Sequence, residues 1–183
     1  ILAVSSASAG MGGQVGDSGL LEAGADYWKV SQTTKSGSVW LHFIDGDHAP
    51  AAGQEVLLFV DQAYRRAVER HHSVTHLLHW ALHQVVSPEA SQKGSFVGTD
   101  KLTFDFSSAA LTSSQISDVE RLVNERIIEN STVSWVELPY AEIRQNQNIL
   151  QFFGEKYGSK VRVVDIDFSK ELCGGTHTLR TGS

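Results

Sequence analysis

The segment RHHSVTHLLHWALHQVV, residues 70–86, constrains the fold more than any other part of the sequence. Side chains three or four residues apart lie on one face of an α-helix, so histidines spaced by four, three and four residues predict a helix with one imidazole stripe. The stripe consists of His72, His76, His79 and His83. Apolar residues fill a second helical face, which predicts a buried helix beginning near Gln62.

Two pairs of side chains in the sequence have the spacing of metal ligands. Imidazoles one helical turn apart, such as His72 and His76, can reach one ion, although the same spacing also occurs on ordinary polar helix faces. Cys173 and His177 form a second pair, with two glycines in the turn between them. Three imidazole nitrogens and one thiolate suit zinc. The two pairs together therefore predict a zinc site, with His79 and His83 either supporting it or lying at the surface.

Cysteine content, charge and hydropathy narrow the class of protein. Cys173 is the only cysteine among 183 residues, so no intramolecular disulfide can form, and we expect a reducing, cytoplasmic setting. No stretch approaches the roughly 20 apolar residues of a membrane span, and the start has no basic flank of a signal peptide. A formal net charge of −6 argues against a nucleic-acid-coating protein, but leaves room for contact with one RNA end.

The sequence has two textures, which predict an α+β fold in two parts. Residues 1–60 contain alternating segments separated by Gly- and Asp-rich turns, which predict a small, barrel-like, β-rich subdomain, either whole or truncated. Residues 61–183 alternate helices and strands, which predict an α+β core with long helices and a central antiparallel or mixed sheet. From the two ends of the chain we also expect a fragment of a longer protein.

The predicted elements of the second part follow from local patterns. SFVGTDKLTFDF predicts a hairpin, and Thr112 with Gln115 forms a capping box before a helix that runs to about Asn130. TVSWVEL and KVRVVDID predict strands, and AEIRQNQNILQFF predicts a shorter helix ending at Gly154. Ahead of the histidine stripe lies a basic cluster, interpreted as a solvated helix face or a phosphate contact, comprising Arg65, Arg66 and Arg70.

Four segments, RHHSVTHLLHWAL, LTFDF, FGEKYG and VRVVDIDFSKELCGGTH, resemble the editing domain of alanyl-tRNA synthetase. Free-standing alanyl editing proteins share this pattern, and threonyl-tRNA synthetase carries a related domain. The resemblance extends over residues 12–182. It implies a small barrel followed by an α+β editing core. It also implies that zinc is held by His72, His76, Cys173 and His177, and that Gln14 points into the substrate pocket. The family has an acidic residue and a serine where this chain has Gly10 and Met11.

The resemblance implies hydrolysis of the ester that joins serine or glycine to the 3′ adenosine of mischarged tRNA(Ala). The partner would be the charged acceptor end of that tRNA, and ATP would be used only by an aminoacylation domain that lies outside this sequence. Thr75 could offer its hydroxyl to the pocket or bond its own backbone carbonyl. No catalytic residue is assigned, and the metal site with Gln14 is the best candidate. Two alternatives stay open: a threonyl-type editing domain, and a non-catalytic zinc-stabilised module that docks an RNA end.

Overall fold

The computed structural model describes residues 1–146, 148–151 and 158–183. Its first part is a four-stranded antiparallel sheet in the order β3-β2-β1-β4. One face of this sheet packs around Trp28 and Val30, which alternate along their strand as expected for a sheet with one buried face. The strands are β1 (Gly19–Ala23), β2 (Asp26–Ser36), β3 (Val39–Ile44) and β4 (Leu57–Val60).

This sheet is open, which corrects the barrel-like shape predicted for residues 1–60. Among the described residues β3 and β4 are the two edges, and they do not pair with each other. A barrel closes only when its edge strands join. Here β4 instead ends at Val60 and the chain continues directly into the first helix. The α+β class itself is confirmed.

Two long helices form the centre of the second part, as predicted. They are α1 (Gln62–Val85) and α2 (Ser113–Glu129). Asp61 caps α1 by accepting from two backbone amides, and the predicted capping box of Thr112 and Gln115 is present at α2. The helices pack through Ala81, Leu82 and Val119. No helix in the described part of the chain is long and apolar enough to cross a membrane.

The remaining strands form two small antiparallel sheets beside α1. The predicted hairpin is present as β5 (Gln92–Val97) and β6 (Leu102–Phe106). The other sheet has the order β7-β8-β9, so the central sheet that we predicted is divided in two. Its buried side packs on α1 through Leu77, Val164 and Ile166. The three strands are β7 (Ser134–Pro139), β8 (Lys160–Asp165) and β9 (Lys170–Leu172).

The helix predicted over AEIRQNQNILQFF is wrong for the described residues of this segment, which contain one helical turn, α3 (Tyr140–Ile143), and no helix after it. Asn146 accepts from the backbone amide of Asn148, a local bond that competes with helix formation. Ile143 and Ile149 both pack into the core beneath the last sheet, although residues six apart lie on different faces of a helix. Gln147 and residues 152–157 lie outside the described residues, and with them the predicted end at Gly154 and nearly all of FGEKYG.

The chain ahead of β1 contacts the second part directly. The backbone around Gln14 runs parallel to β5, where the amide of Val97 donates to Gly13 and its carbonyl accepts from Val15. The predicted boundary at residue 60, between a β-rich subdomain and an α+β core, stays a prediction. These contacts place Gln14 next to α1, which is the helix that carries the histidine stripe.

Asp17 and Arg65 form a second connection between the two parts. The side chain of Asp17 is 2% exposed and that of Arg65 is 21% exposed. The Arg65 Nε lies 3.1 Å from both Asp17 oxygens, and its Nη2 donates to Asp17 and to the carbonyl of Ser6. Arg66 and Arg70 are exposed, so the predicted basic cluster is divided between an internal ion pair and a solvated face.

We expect Arg65→Ala to lower the free energy of unfolding by about 3 kcal/mol, because it leaves the Asp17 carboxylate buried without its cation. Arg66→Ala is the matched control, since Arg66 is exposed, and it should change the same free energy by less than about 0.5 kcal/mol. Urea denaturation of the three proteins measures both values. Equal stabilities would show that the ion pair does not hold the two parts together.

Candidate metal centre

The structure brings together the four side chains that the sequence predicted as ligands. His72, His76, Cys173 and His177 form a cluster that could hold a metal ion, and their ligand atoms all lie within 4.8 Å of one another. The Cys173 sulfur lies 3.3 Å from the Nε2 atoms of both His72 and His177. The cluster is at the middle of α1, where His72 and His76 are 3% and 4% exposed.

Helix α1 and the loop after β9 each supply two of these residues. The rings of His72 and His76 are one turn apart, nearly parallel, with centroids separated by 5.3 Å. The loop then carries Cys173 and His177 across the helix, and the His177 ring lies 4.4 Å from that of His72 between centroids. Side chains at helical spacing therefore form one half of the cluster, and a loop that crosses the helix forms the other.

Glu171 holds His76 in position. Its carboxylate is buried, with the residue 1% exposed, and it accepts a hydrogen bond from His76 Nδ1 at 2.6 Å. Its second oxygen accepts from Ser169 at 2.8 Å and lies 3.9 Å from His79 Nδ1. A proton on Nδ1 leaves Nε2 of His76 free to bind a metal, which is the usual arrangement of a carboxylate that supports a histidine ligand.

Gln14 holds His72 in a similar way. The Gln14 amide oxygen lies 2.6 Å from His72 Nδ1 and accepts the backbone amide of Thr176 at 2.8 Å. Its amide nitrogen donates to the Thr176 hydroxyl at 3.0 Å. Gln14 therefore connects the N-terminal segment, α1 and the CGGTH loop at the cluster. Its predicted role as a substrate-reading residue stays a prediction.

The third imidazole has weaker support from a hydroxyl. His177 Nδ1 lies 3.4 Å from the hydroxyl of Ser73, a buried residue next to His72 on α1. That hydroxyl also accepts from the backbone amide and the side chain of Thr178, both at 3.1 Å. All three histidines therefore have a polar group beside Nδ1 and their Nε2 available to the cluster.

The donor set and one uncompensated nitrogen fit zinc. His76 Nε2 is buried, and within the described residues it has no hydrogen-bond partner. Such a nitrogen costs free energy unless a ligand occupies it. Three imidazole nitrogens and one sulfur that converge on one point match the ligands and number of a tetrahedral zinc site. The geometry supports a metal, and the choice of zinc rests on the chemistry of the donors.

Burial and mutual contact shift the pKa values of these groups. Burial raises the pKa of Cys173, but hydrogen bonds with His177 and His72 outweigh it and lower that pKa well below its usual value. Burial lowers the pKa of His76, but the negative charges of Glu171 and Cys173 outweigh it and raise that pKa to about 10. Burial lowers the pKa of His177 to about 4. Without metal, both shifts favour the charged forms, which are the thiolate of Cys173 and the imidazolium of His76.

Gly175 is required by the close approach of the loop to α1. A Cβ atom on Gly175 would lie 1.9 Å from Cε1 and 2.2 Å from Nδ1 of His72, a distance that no side chain can occupy. The three atoms nearest to a Cβ on Gly174 all belong to the flexible side chain of Met11, a residue that is 57% exposed, and only its sulfur, at 2.3 Å, is too close. The two glycines between Cys173 and His177 therefore have different tasks.

The other predicted positions have their own partners. The Thr75 hydroxyl donates to the carbonyl of His71 at 2.8 Å, and its role in substrate binding stays a prediction. His71 Nδ1 lies 2.7 Å from the carbonyl of Gly98, and His83 Nε2 lies 2.8 Å from that of Ala90. His79 reaches Glu171, so it lies beside the cluster without belonging to it.

Sequence reasoning missed the residues that support the ligands. Glu171 had a detectable signal, since residues two apart on a strand point to the same side and Glu171 stands two residues before Cys173. Ser73 and Thr176 had none, because a single hydroxyl beside a histidine has no recognisable spacing. Their partners are about 100 or more residues away in the chain.

The chain is similar to a segment of alanine–tRNA ligases. It is 46% identical over 175 residues to the alanine–tRNA ligase of Methylacidiphilum infernorum, a match that covers 94% of this chain. It is 48% identical over 176 residues to that of Dichelobacter nodosus and 44% identical over 181 residues to that of Akkermansia muciniphila, each covering 93% of this chain. It spans about a fifth of the length of these relatives. No protein-family model matches the chain.

We expect Gly175→Ala to weaken zinc binding at least about tenfold, the scale of a disturbed ligand, because its methyl group displaces His72. Gly174→Ala is the matched control and should bind zinc as the unmodified chain does, since Met11 can move aside. Competition with a chromogenic chelator measures the three affinities. Equal affinities for the two variants would exclude the close approach of the loop to His72.

We also expect zinc binding to release about one proton near neutral pH, because metal ligands bind deprotonated and His76 holds the proton that must leave. Zinc affinity should therefore rise about tenfold per pH unit from neutral pH up to about 10, the pKa of His76 without metal. Calorimetry in buffers of different ionisation enthalpy counts the protons. A count near zero or two would contradict a site that starts from one thiolate and one imidazolium.

Proposed function

We propose that this chain, a homologue of one segment of alanine–tRNA ligases, hydrolyses the ester of tRNA that carries the wrong amino acid. The observation that carries the proposal is the convergence of four ligand side chains and Gln14 at one buried point. The relatives are named for joining alanine to tRNA, and in a homologue of such proteins this site suits the removal of a wrongly attached amino acid from the tRNA. The substrates would be serine and glycine on tRNA(Ala).

A need for correction follows from the limits of an apolar pocket. A pocket shaped for the methyl group of alanine distinguishes glycine only by that one methyl group. It also rejects serine poorly, because an apolar pocket discriminates weakly against one added hydroxyl. A second site can reverse this preference by forming hydrogen bonds with the serine hydroxyl, since alanine would leave those polar groups unpaired.

Polar groups for this selection are present at the cluster. The Gln14 amide nitrogen donates to the Thr176 hydroxyl at 3.0 Å, and the Gln14 amide oxygen lies 2.6 Å from His72 Nδ1. A serine hydroxyl can form hydrogen bonds with these two groups in place of the one that they share. An alanine methyl would break their hydrogen bond and form none in return. In this proposal Gln14 has two tasks, which are to hold the His72 ring and to bind the substrate hydroxyl.

The four ligands define what a metal would contribute. When bound, zinc would supply positive charge beside the amine or ester oxygen of the substrate. His72, His76, Cys173 and His177 together would complete a tetrahedral shell. A complete shell favours positioning of the substrate over activation of a water molecule, which needs an open coordination position. Glu171 and Gln14 would keep the imidazoles in their binding orientation.

The complete ligand set also supports a second candidate, a zinc-stabilised module that docks an RNA end without catalysis. Structural zinc sites typically have four protein ligands, as this cluster does. A threonyl-type editing domain is the weaker alternative, because the relatives reported above are alanine–tRNA ligases. Catalysis distinguishes the first two candidates, and a deacylation assay measures it.

We expect the chain to deacylate Ser-tRNA(Ala) at least about tenfold faster than Ala-tRNA(Ala), which corresponds to about 1.4 kcal/mol of transition-state discrimination. Cys173→Ala and a zinc chelator should lower both rates by disturbing the ligand set. Gln14→Leu should narrow the ratio and also weaken zinc binding, because Gln14 holds His72. Single-turnover assays with zinc content measured alongside give these values. No hydrolysis by the zinc-loaded chain would favour the docking module.

A further inference from the structure

An exposed tryptophan is connected through Arg162 to the loop that carries Cys173. Trp135 is on β7, an edge strand of its sheet among the described residues, and it is 59% exposed. The guanidinium of Arg162 lies over the indole ring, with Cζ 5.3 Å from the ring centroid. Nothing in the cluster of ligands explains why a large aromatic ring is exposed here.

The sheet register places Trp135 on the face that carries the metal centre. Trp135 is directly opposite Val164, and Val164 is directly opposite Glu171. Residues opposite each other in antiparallel strands point to the same face. Val164 is buried against Leu77 of α1, and Glu171 binds His76. Arg162, two residues before Val164, shares this face and lies between the tryptophan and the loop.

Arg162 connects the tryptophan to the ligand loop and has a donor to spare. Its Nε donates to the carbonyl of Cys173 at 3.0 Å. Its Nη2 is buried and, in the described part of the chain, has no hydrogen-bond partner, although Glu137 lies opposite in the register. A buried cationic donor without an acceptor is costly, and a phosphate is an acceptor that a guanidinium binds well.

We propose that Trp135 and Arg162 form a stacking platform for the unpaired 3′ end of the RNA substrate, with a base on the indole ring and a phosphate on Arg162. This inference rests on the proposed function, because it names how the RNA part of that substrate is held. Single-stranded RNA is typically bound by stacking on aromatic rings and by contacts between cations and phosphates. A chain with net charge −6 must obtain such affinity from a few local contacts.

The chain provides a matched control for this platform. Trp40 in β3 also has a cation over its ring, with Lys35 Nζ 4.6 Å from the centroid. This pair is in the N-terminal sheet, and among the described residues neither side chain shares a hydrogen bond or ring contact with the ligand loop. It reproduces the same local chemistry as the Trp135 and Arg162 pair without the position beside Cys173.

The test is the affinity of the zinc-loaded chain for an RNA hairpin that has a single-stranded 3′ CCA end and carries no amino acid, measured by fluorescence anisotropy. Trp135→Ala should weaken binding by about tenfold to a hundredfold, the range for loss of one stacked base. Trp135→Phe should retain most of the affinity, and Trp40→Ala all of it. Trp135→Leu, which keeps an apolar side chain without a π face, should behave as Trp135→Ala does.

The proposal is overturned if Trp135→Ala binds the hairpin as the unmodified chain does, or if Trp40→Ala loses as much affinity. For Arg162→Gln, a supporting result is a plot of log affinity against log salt concentration whose slope is smaller in magnitude by about 0.7, the value for one phosphate contact on a single strand. Zinc content is measured in that variant because Arg162 touches the Cys173 carbonyl. The hairpin carries no amino acid, so its binding does not depend on hydrolysis. If the chain binds the hairpin but does not hydrolyse Ser-tRNA(Ala), the deacylase proposal is rejected and the stacking platform is retained.

Discussion

Burial of imidazoles in the middle of α1 is the constraint on which the rest of the structure depends. A buried ring nitrogen without a partner costs free energy, so each imidazole must be supplied with a hydrogen bond or a ligand. Glu171 and Gln14 meet this need for His76 and His72 from different segments, one from β9 and one from the segment ahead of β1. The fold brings these segments to α1, and apolar packing alone would not require that arrangement.

The small sheets and loops can be understood as supports for this central helix. The β7-β8-β9 sheet packs Val164 on Leu77 and thereby fixes the position along α1 at which Glu171 contacts His76. Beyond β9 the chain must cross directly over His72, which only Gly175 permits. The Asp17 and Arg65 ion pair holds the N-terminal segment against α1 three residues after Gln14. Ligand geometry is therefore shared among segments that are distant in the sequence.

Homology and geometry lead to one functional interpretation at different levels of detail. The chain is similar to a segment of alanine–tRNA ligases and spans about a fifth of their length. The cluster adds a polar site that contains three histidines and one cysteine. Hydrolysis of a mischarged ester, the reaction that we propose, would use both facts, because it needs selection of a hydroxyl and positive charge beside an ester.

Local patterns in the sequence determined the α+β class, both long helices, the capping box at Thr112 and the four ligand candidates, since periodicity and spacing act within one element. Tertiary structure alone decided that the first sheet stays open among the described residues. It also decided that the described part of AEIRQNQNILQFF contains one helical turn, because packing of Ile143 and Ile149 overrides local propensity. It also decided which groups support the ligands. Glu171 and Gln14 reach histidines 95 and 58 residues away, and no local rule specifies contacts over such separations.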